Sequence, residues 1–337
     1  MTRILSAALA VAMMGGAAQA QEVTLRLHHF LSAEAPMHAG LFEVWKQRVE
    51  SQSDGRIEVQ LYPSMQLGGK PPQLFDQARD GIVDIAWTLL GYTPGRFPIA
   101  EVFELPFVAG TATETTMALQ GFQDEYLAEE LGDVHPLLLH APAAYKFHMR
   151  GGPVESLDDL AGKKIRAPSR TMTDGLGALG ATAVGMPVPE VAQALTTGVI
   201  DGAVLPWEVF GSLRIEEMAK DHTEIGVENG GLSTSVMALV MNKRVYEGLP
   251  EDLRQVIDDN SGANLAPLAG EVLDAAEAEE REKALAAGGT VVVIPEEDLE
   301  AWKAATQPVI DDWVANTENG AEILAAARAA IDAQRGE

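Results

Sequence analysis

The chain alternates apolar strand patterns with amphipathic helix patterns along most of its length. Val23, Leu25 and Leu27 occupy alternate positions, as in a half-buried strand, and residues 37–51 then repeat apolar side chains at helical spacing. Further strands are predicted at 57–61, 82–87, 137–140, 164–167, 199–204, 235–242 and 291–294. Strands alternating with helices predict an α/β fold with mostly parallel sheets.

Helices are predicted between these strands. One opens at the Pro71-Pro72 pair, another covers 189–197, and a long alanine-rich and glutamate-rich helix covers 251–286 with a break near Gly262 or Pro267. Ser156 is a predicted N-cap of a single helical turn that ends at Gly162. The last helices carry Trp302 and Trp313.

The first 20 residues have the pattern of a secretory signal peptide. Arg3 precedes an apolar stretch from Ile4 to Met14, and Ala18-Gln19-Ala20 matches the small-x-small cleavage pattern. The stretch is shorter than the roughly 20 residues that span a bilayer. We therefore expect cleavage after Ala20 and a periplasmic protein that is not embedded in the membrane.

Composition excludes several classes of function. The 337 residues include no cysteine, which rules out disulfides, thiol catalysis, cysteine-ligated metals and a lipid-modified cysteine. With 24 basic and 50 acidic residues, the formal net charge is −26. Such an acidic chain is not expected to bind nucleic acid, because the phosphate backbone requires a basic surface.

Motifs for enzymatic chemistry are weak. Gly175, Gly177 and Gly180 satisfy G-x-G-x-x-G, but the preceding strand ends near residue 167, so we interpret them as small residues on a packed helix. The seven histidines form no recognisable metal-binding spacing. We predict neither cofactor nor metal, and a binding protein rather than an enzyme. A dispersed catalytic triad is disfavoured but not excluded.

Two segments carry candidate binding residues. Residues 163–170 are the densest cationic stretch, and Arg166 lies on its predicted strand. A cleft-facing or buried arginine needs an anionic partner, either a ligand carboxylate or an internal acidic residue, and both interpretations stay open. Residues 201–208 end a strand at Leu205 and turn at Pro206, so Trp207 either faces a cleft or packs in the core.

Several segments in order resemble one family. They include His29, residues 53–57, the Tyr62-to-Gly68 segment, Leu105-Pro106-Phe107, residues 157–166, Leu179-Gly180-Ala181 and residues 194–202. In this order, from residue 23 to about 320, the chain resembles the DctP-like solute-binding proteins of TRAP (tripartite ATP-independent periplasmic) transporters, which are often described as C4-dicarboxylate binders.

The resemblance implies two α/β domains around a ligand cleft, joined by long connecting helices. We expect domain I at 21–143 plus 231–272 and domain II at 144–230 plus 273–337. It also implies membrane subunits of the transporter as partners and Arg166 as the residue that pairs with a ligand carboxylate. A second family arginine lies about 20 positions earlier, where this chain has Lys146 with Arg150 nearby.

Departures from the family pattern shape the expected ligand. Many members have an asparagine before the proline of the D-G-x-x-N-P turn, where this chain has Leu205. The change removes an amide donor, which favours an aromatic or apolar monocarboxylate over a sugar acid. The predicted ligand contacts are Arg166, Arg170, Lys146, His29, Trp207, Leu205, Phe147, Tyr92 and Gln66.

The sequence also leaves other ligands and other classes of function open. Thr88, Arg96 and Tyr145 are further polar candidates, so a C4-dicarboxylate, a keto acid or a sugar acid also stays open. A sensory binding protein is a second class of function. A periplasmic hydrolase or isomerase is a third, and it would need an acid and a base that the sequence does not nominate.

Overall fold

The computed structural model describes residues 21–226 and 231–336, and the predicted signal segment 1–20 lies outside them. The strands within this range are β1 Val23–His28, β2 Ile57–Tyr62, β3 Ile85–Leu89, β4 Val134–His140, β5 Lys146–Met149, β6 Lys164–Ala167, β7 Thr182–Gly185, β8 Gly202–Leu205, β9 Asp221–Ile225, β10 Met237–Asn242 and β11 Thr290–Ile294. The helices are α1 Glu43–Gln52, α2 Leu74–Asp80, α3 Ala112–Phe122, α4 Arg170–Ala178, α5 Val191–Thr197, α6 Lys243–Gly248, α7 Glu251–Asp259, α8 Ala266–Ala286, α9 Glu296–Asn316 and α10 Gly320–Arg335.

The strands form two separate sheets. The first sheet has the order β2-β1-β3-β10-β4, and the second has the order β11-β9-β5-β8-β6-β7. This arrangement confirms the predicted two-sheet α/β fold. The sheets are mixed. Five of the nine strand pairings among the described residues are parallel, as in the expected mostly parallel sheets, and β10 and β5 run antiparallel to both of their neighbours.

The two sheets share elements that pass between them. The chain leaves the first sheet after β4, builds the second sheet, and returns to the first as β10. Helix α8 packs against α3, which lies against β4, and also against the turn that follows β8. The predicted long helix is broken between α7 and α8, and a short 3₁₀ turn, Gly262–Asn264, fills the gap.

The predicted domain boundaries stay a prediction. Helix α10 packs beside a different sheet from the one that these boundaries assign to it. Residues 273–337 were assigned to the second domain, whereas α10 packs against α3 beside the first sheet. Its apolar face, including Leu324, Ala327 and Ile331, is buried there. Within the described residues, no helix combines the length and apolar character needed to cross a membrane.

Candidate functional site

A cavity whose lining residues are buried lies between the two sheets. The space free of protein atoms in and around it, adjoining solvent included, is about 430 Å³. The first sheet and its connections contribute Phe30, Leu31, Trp87, Leu89, Tyr92, His140, Pro142, Ser235 and Met237. The second sheet and the segment before it contribute Tyr145, Arg166, Val188, Leu205, Pro206, Glu208 and Val209.

Most of the lining residues lie at the ends of strands or in the connections next to them, whereas Trp87 lies in the middle of β3. Tyr92 belongs to a turn directly after β3, and Leu205 is the last residue of β8. His140 ends β4 opposite Met237, which begins the antiparallel β10. Because parallel strands expose their carboxyl ends at one edge of a sheet, such edges are the usual ligand sites of α/β folds.

Arg166 is the cationic residue of this cavity. Its side chain is 1% exposed, and it lies in β6 between β7 and β8. Its Nε donates to Met186 O at 3.0 Å, and Nη1 donates to Val204 O at 3.1 Å. These bonds fix the plane of the guanidinium, and a guanidinium carries five N–H donors, so three more are directed elsewhere.

No ion pair between described residues includes Arg166, although the chain is strongly acidic. A buried charge without a counter-ion is costly, so such a residue normally meets its counter-ion on a ligand. The sequence did not decide whether Arg166 pairs with an acidic residue of the protein. Among the described residues, no acidic side chain lies within ion-pair distance of Arg166.

Two tyrosines stand close to the Arg166 charge. Burial raises the pKa of both Tyr92 and Tyr145, and the nearby guanidinium opposes that rise. Both phenols are therefore neutral at physiological pH. Tyr92 Oη accepts the Val188 N–H at 2.9 Å, which leaves its own O–H able to donate. Tyr145 Oη is hydrogen-bonded to Ser235 Oγ.

Aromatic side chains form one wall of the cavity. Phe30 stacks on Trp87 with ring centroids 4.8 Å apart and meets Tyr92 edge-on at 5.7 Å. The indole N–H of Trp87 donates to His140 Nε2 at 2.8 Å. These contacts hold the rings in place before any ligand arrives, so a flat apolar ligand meets a preformed surface.

Of the nine predicted contacts, the cavity lining includes Arg166, Tyr92 and Leu205. The structure places four of the other six in the protein interior or in ion pairs. Lys146 is buried against Glu277, and Arg170 pairs with Glu101 at 2.5 Å outside the cavity. The indole N–H of Trp207 donates to Glu224, and its ring packs on His148, Phe210 and His222. Of the two positions that the sequence allowed for Trp207, cleft or core, the structure shows the core. Phe147 is fully buried beside Trp302.

The remaining two also lie away from the lining. His29 is buried next to Trp87, and its Nε2 bonds to His38 Nδ1 at 2.9 Å. Gln66 is exposed. Arg150, the alternative to Lys146, is exposed at the end of β5. The sequence reasoning did not nominate Phe30, Trp87, His140, Glu208 or Ser235, although each lies in or just beyond a strand. No described group of three or more histidines or acids is arranged to hold a metal ion.

Comparison with known proteins identifies one family of bacterial solute-binding proteins. The family model for bacterial extracellular solute-binding proteins, family 7 (DctP), matches residues 27–317. A curated relative, the C4-dicarboxylate-binding periplasmic protein DctP of Rhodobacter capsulatus, is 28% identical over 93% of this chain and 92% of its own length.

Two solved structures are more similar in sequence. A TRAP solute-binding protein from a marine metagenome, specific for aromatic acid ligands and crystallised with 3-hydroxybenzoate, is 43% identical. The alignment covers 94% of this chain and 99% of the metagenome protein, with a TM-score of 0.91. A TRAP solute-binding protein of Rhodoferax ferrireducens with copurified benzoate is 40% identical, covers 93% and 98%, and has a TM-score of 0.90.

Proposed function

The chain belongs to family 7 of the bacterial extracellular solute-binding proteins, and on that premise we propose that it captures an aromatic monocarboxylate in the cavity between its sheets. The observation that carries the proposal is Arg166, a buried guanidinium at the cavity without a carboxylate partner among the described residues. A ligand carboxylate would accept its free N–H donors in the planar, bidentate geometry that arginine favours.

The rest of the lining argues for an aromatic ligand with a single negative charge. Arg166 is the one cationic residue among the lining residues named above, and the cavity also contains the carboxyl group of Glu208. A second ligand carboxylate would have no cation to pair with among these lining residues. Phe30, Trp87, Tyr92 and Tyr145 match a flat apolar ring better than a hydroxyl-rich sugar acid, whose polar groups would lose hydrogen bonds on burial.

The two solved structures named above, one with 3-hydroxybenzoate and one with benzoate, support the same ligand class. Their sequence identities of 43% and 40% are well above the 28% identity of the C4-dicarboxylate-binding relative. C4-dicarboxylate capture is therefore the second candidate.

The proposal includes uptake through TRAP membrane subunits, binding without chemical turnover, and a periplasmic location reached by cleavage after Ala20. The signal pattern in residues 1–20 and the absence of cysteine support export without a lipid anchor. Recovery of an unchanged acid after prolonged incubation, measured by liquid chromatography, tests binding without turnover.

The main experiment compares ligand binding by the wild type and two arginine variants. Protein freed of bound ligand by unfolding and refolding is titrated calorimetrically with benzoate, hydroxybenzoates, mandelate, succinate and glucuronate. We expect Arg166→Gln to bind the preferred aromatic acid about 100-fold more weakly, because a buried ligand charge loses its partner. Arg170→Gln is the matched control, since Arg170 lies outside the cavity, and it should bind normally. Unchanged affinity in Arg166→Gln, or tighter binding of succinate than of every aromatic acid, contradicts the proposal.

A further inference from the structure

Two buried polar atoms at the cavity lack a hydrogen-bond partner among the described residues. They are His140 Nδ1 and Glu208 Oε2, and their side chains line the cavity together with Arg166. His140 is 1% exposed and Glu208 is 5% exposed, so solvent does not satisfy these atoms. An unsatisfied buried polar group is destabilising, so two of them in one cavity are a sign of a missing partner.

The hydrogen-bonding state of His140 follows from its neighbour. The Trp87 indole nitrogen can only donate, so His140 Nε2 must accept the 2.8 Å bond between them. Burial lowers the pKa of His140 to about 3, so the ring is neutral and carries its proton on Nδ1. His140 therefore presents an N–H donor that no described group accepts.

The backbone of Glu208 is anchored by a hydrogen bond to a neighbouring acidic residue. Its backbone N–H donates to Glu277 Oε2 at 3.1 Å, and Glu277 is itself paired with the buried Lys146. Burial, reinforced by the Glu277 charge, raises the pKa of Glu208 to about 8. A neutral carboxyl group can both donate and accept, which suits a partner with both capacities.

We propose that His140 and Glu208 bind a hydroxyl group on the ring of the aromatic acid, and so select hydroxylated acids over unsubstituted ones. This inference rests on the proposed function, with Arg166 holding the carboxylate. A phenol offers one donor and two acceptor positions, so it can accept from His140 Nδ1–H and hydrogen-bond to Glu208 Oε2. An unsubstituted ring leaves both atoms without partners, and sites of this kind discriminate strongly.

The first test varies the ligand and leaves the protein unchanged. Calorimetric titrations compare benzoate with 2-, 3- and 4-hydroxybenzoate and with the methyl ether of the preferred isomer. We expect one hydroxybenzoate to bind at least about 10-fold more tightly than benzoate. Its methyl ether should lose that advantage, because it cannot donate. Equal or tighter binding of benzoate than of all three isomers overturns the inference and leaves the proposed function intact.

The second test varies the protein. In His140→Met, the thioether sulfur can still accept weakly from Trp87 Nε1–H while the Nδ1–H donor is lost. Glu208→Met keeps the side-chain length and removes both oxygens. Each variant should bind the preferred hydroxybenzoate about 10-fold more weakly and bind benzoate within about 3-fold of wild type. Arg170→Gln, at a position outside the cavity, is the control that should preserve the preference.

The outcomes separate the two proposals. If either variant weakens benzoate and hydroxybenzoate equally, that residue acts on packing or on the carboxylate, and the hydroxyl contact is wrong. If neither variant changes the preference, the contact is also wrong. Loss of all aromatic-acid binding in Arg166→Gln supports the proposed function in each case. Circular dichroism identifies any variant that fails to fold, and the ligand series in the wild type then decides.

Discussion

At the scale of single residues, the decisive feature is which buried cations have a partner inside the protein. Arg166 and Lys146 are both nearly inaccessible and both lie on strands of the second sheet. Lys146 pairs with Glu277, which follows 131 residues later, whereas Arg166 has no acidic partner among the described residues. The sequence could predict a role for Arg166 through the family resemblance. It could not show that Lys146 is already neutralised, because the partner is distant in the chain.

The Lys146–Glu277 pair gives a stability prediction. Lys146→Met should lower the free energy of unfolding by about 3–5 kcal/mol, because it leaves a buried carboxylate without its cation. Lys303→Met is the matched control, since Lys303 and Glu300 form an exposed pair, and it should change stability by less than about 1 kcal/mol. Urea unfolding followed by circular dichroism measures both. Equally small changes in the free energy of unfolding in both variants would mean that the Lys146–Glu277 pair contributes little to stability.

Glu208 gives a pH prediction. Its pKa is raised to about 8 in the folded protein, against an ordinary value of 4.5, so its contribution to stability is present below pH 4.5 and lost as pH rises through 8. Between pH 4.5 and pH 8, the free energy of unfolding of the wild type should fall relative to that of Glu208→Gln. Above pH 8, the difference between the two proteins should stay constant. Urea unfolding at several pH values tests this. Glu318→Gln, at an exposed position, should show no such trend.

The aromatic wall shows where residue-level prediction stops. Phe30 follows β1, Trp87 lies within β3, and His140 ends β4. The sequence placed strands at or near all three positions. Nothing in the spacing of apolar residues indicates that three strands converge on one cavity, because that depends on sheet order.

At the scale of elements, periodicity predicted most strands and helices but not strand direction. Residues 164–167 form β6 as expected, and the helix predicted at 251–286 is broken at the place expected. The strands β5, β7 and β9 were not predicted, since polar residues or glycine occupy at least half of each. β5 and β10 run antiparallel because the chain enters each sheet from the other, which is a property of topology.

Helix α3 offers a test at this scale. Its N-cap Thr111 accepts the Glu114 N–H at 3.1 Å, and the Glu114 side chain accepts the Thr111 N–H at 3.0 Å. Thr111→Ala should lower the free energy of unfolding by about 1 kcal/mol, because one helical N–H loses its acceptor. Thr111→Ser keeps the hydroxyl and should stay close to wild type. Thermal and urea unfolding measure both, and equal losses would show that the methyl group matters more than the cap.

At the scale of the whole molecule, the two sheets are brought together around a cavity whose lining residues are buried. Gly91, in the turn after β3, is part of this close approach. A Cβ at Gly91 would lie 2.6 Å from the Ser169 Cβ and 3.2 Å from Glu104 Oε1. Ser169 is the N-cap of α4, beside the second sheet, so the contact joins the two halves.

Gly91→Ala should therefore weaken ligand binding, because the closed arrangement no longer fits without a shift. We expect about a 10-fold rise in Kd for the preferred acid, equivalent to ~1.4 kcal/mol. Gly177→Ala is the control, since no atom lies within 4 Å of its added Cβ. It should leave Kd unchanged and raise the free energy of unfolding by about 0.5–1 kcal/mol. A Kd in Gly91→Ala equal to that of wild type would mean that binding does not need this contact.

The buried lining of the cavity also sets how fast a bound molecule can leave. Since the aromatic wall, Arg166 and the turn around Glu208 are all shielded from solvent, an occupant cannot escape until the two halves separate. The residence time then reports the opening rate of the protein, and chemically different occupants held equally well by the closed form should dissociate at similar rates. Under the proposed uptake function, delivery would therefore depend on separation of the two halves and not on dilution of the solute.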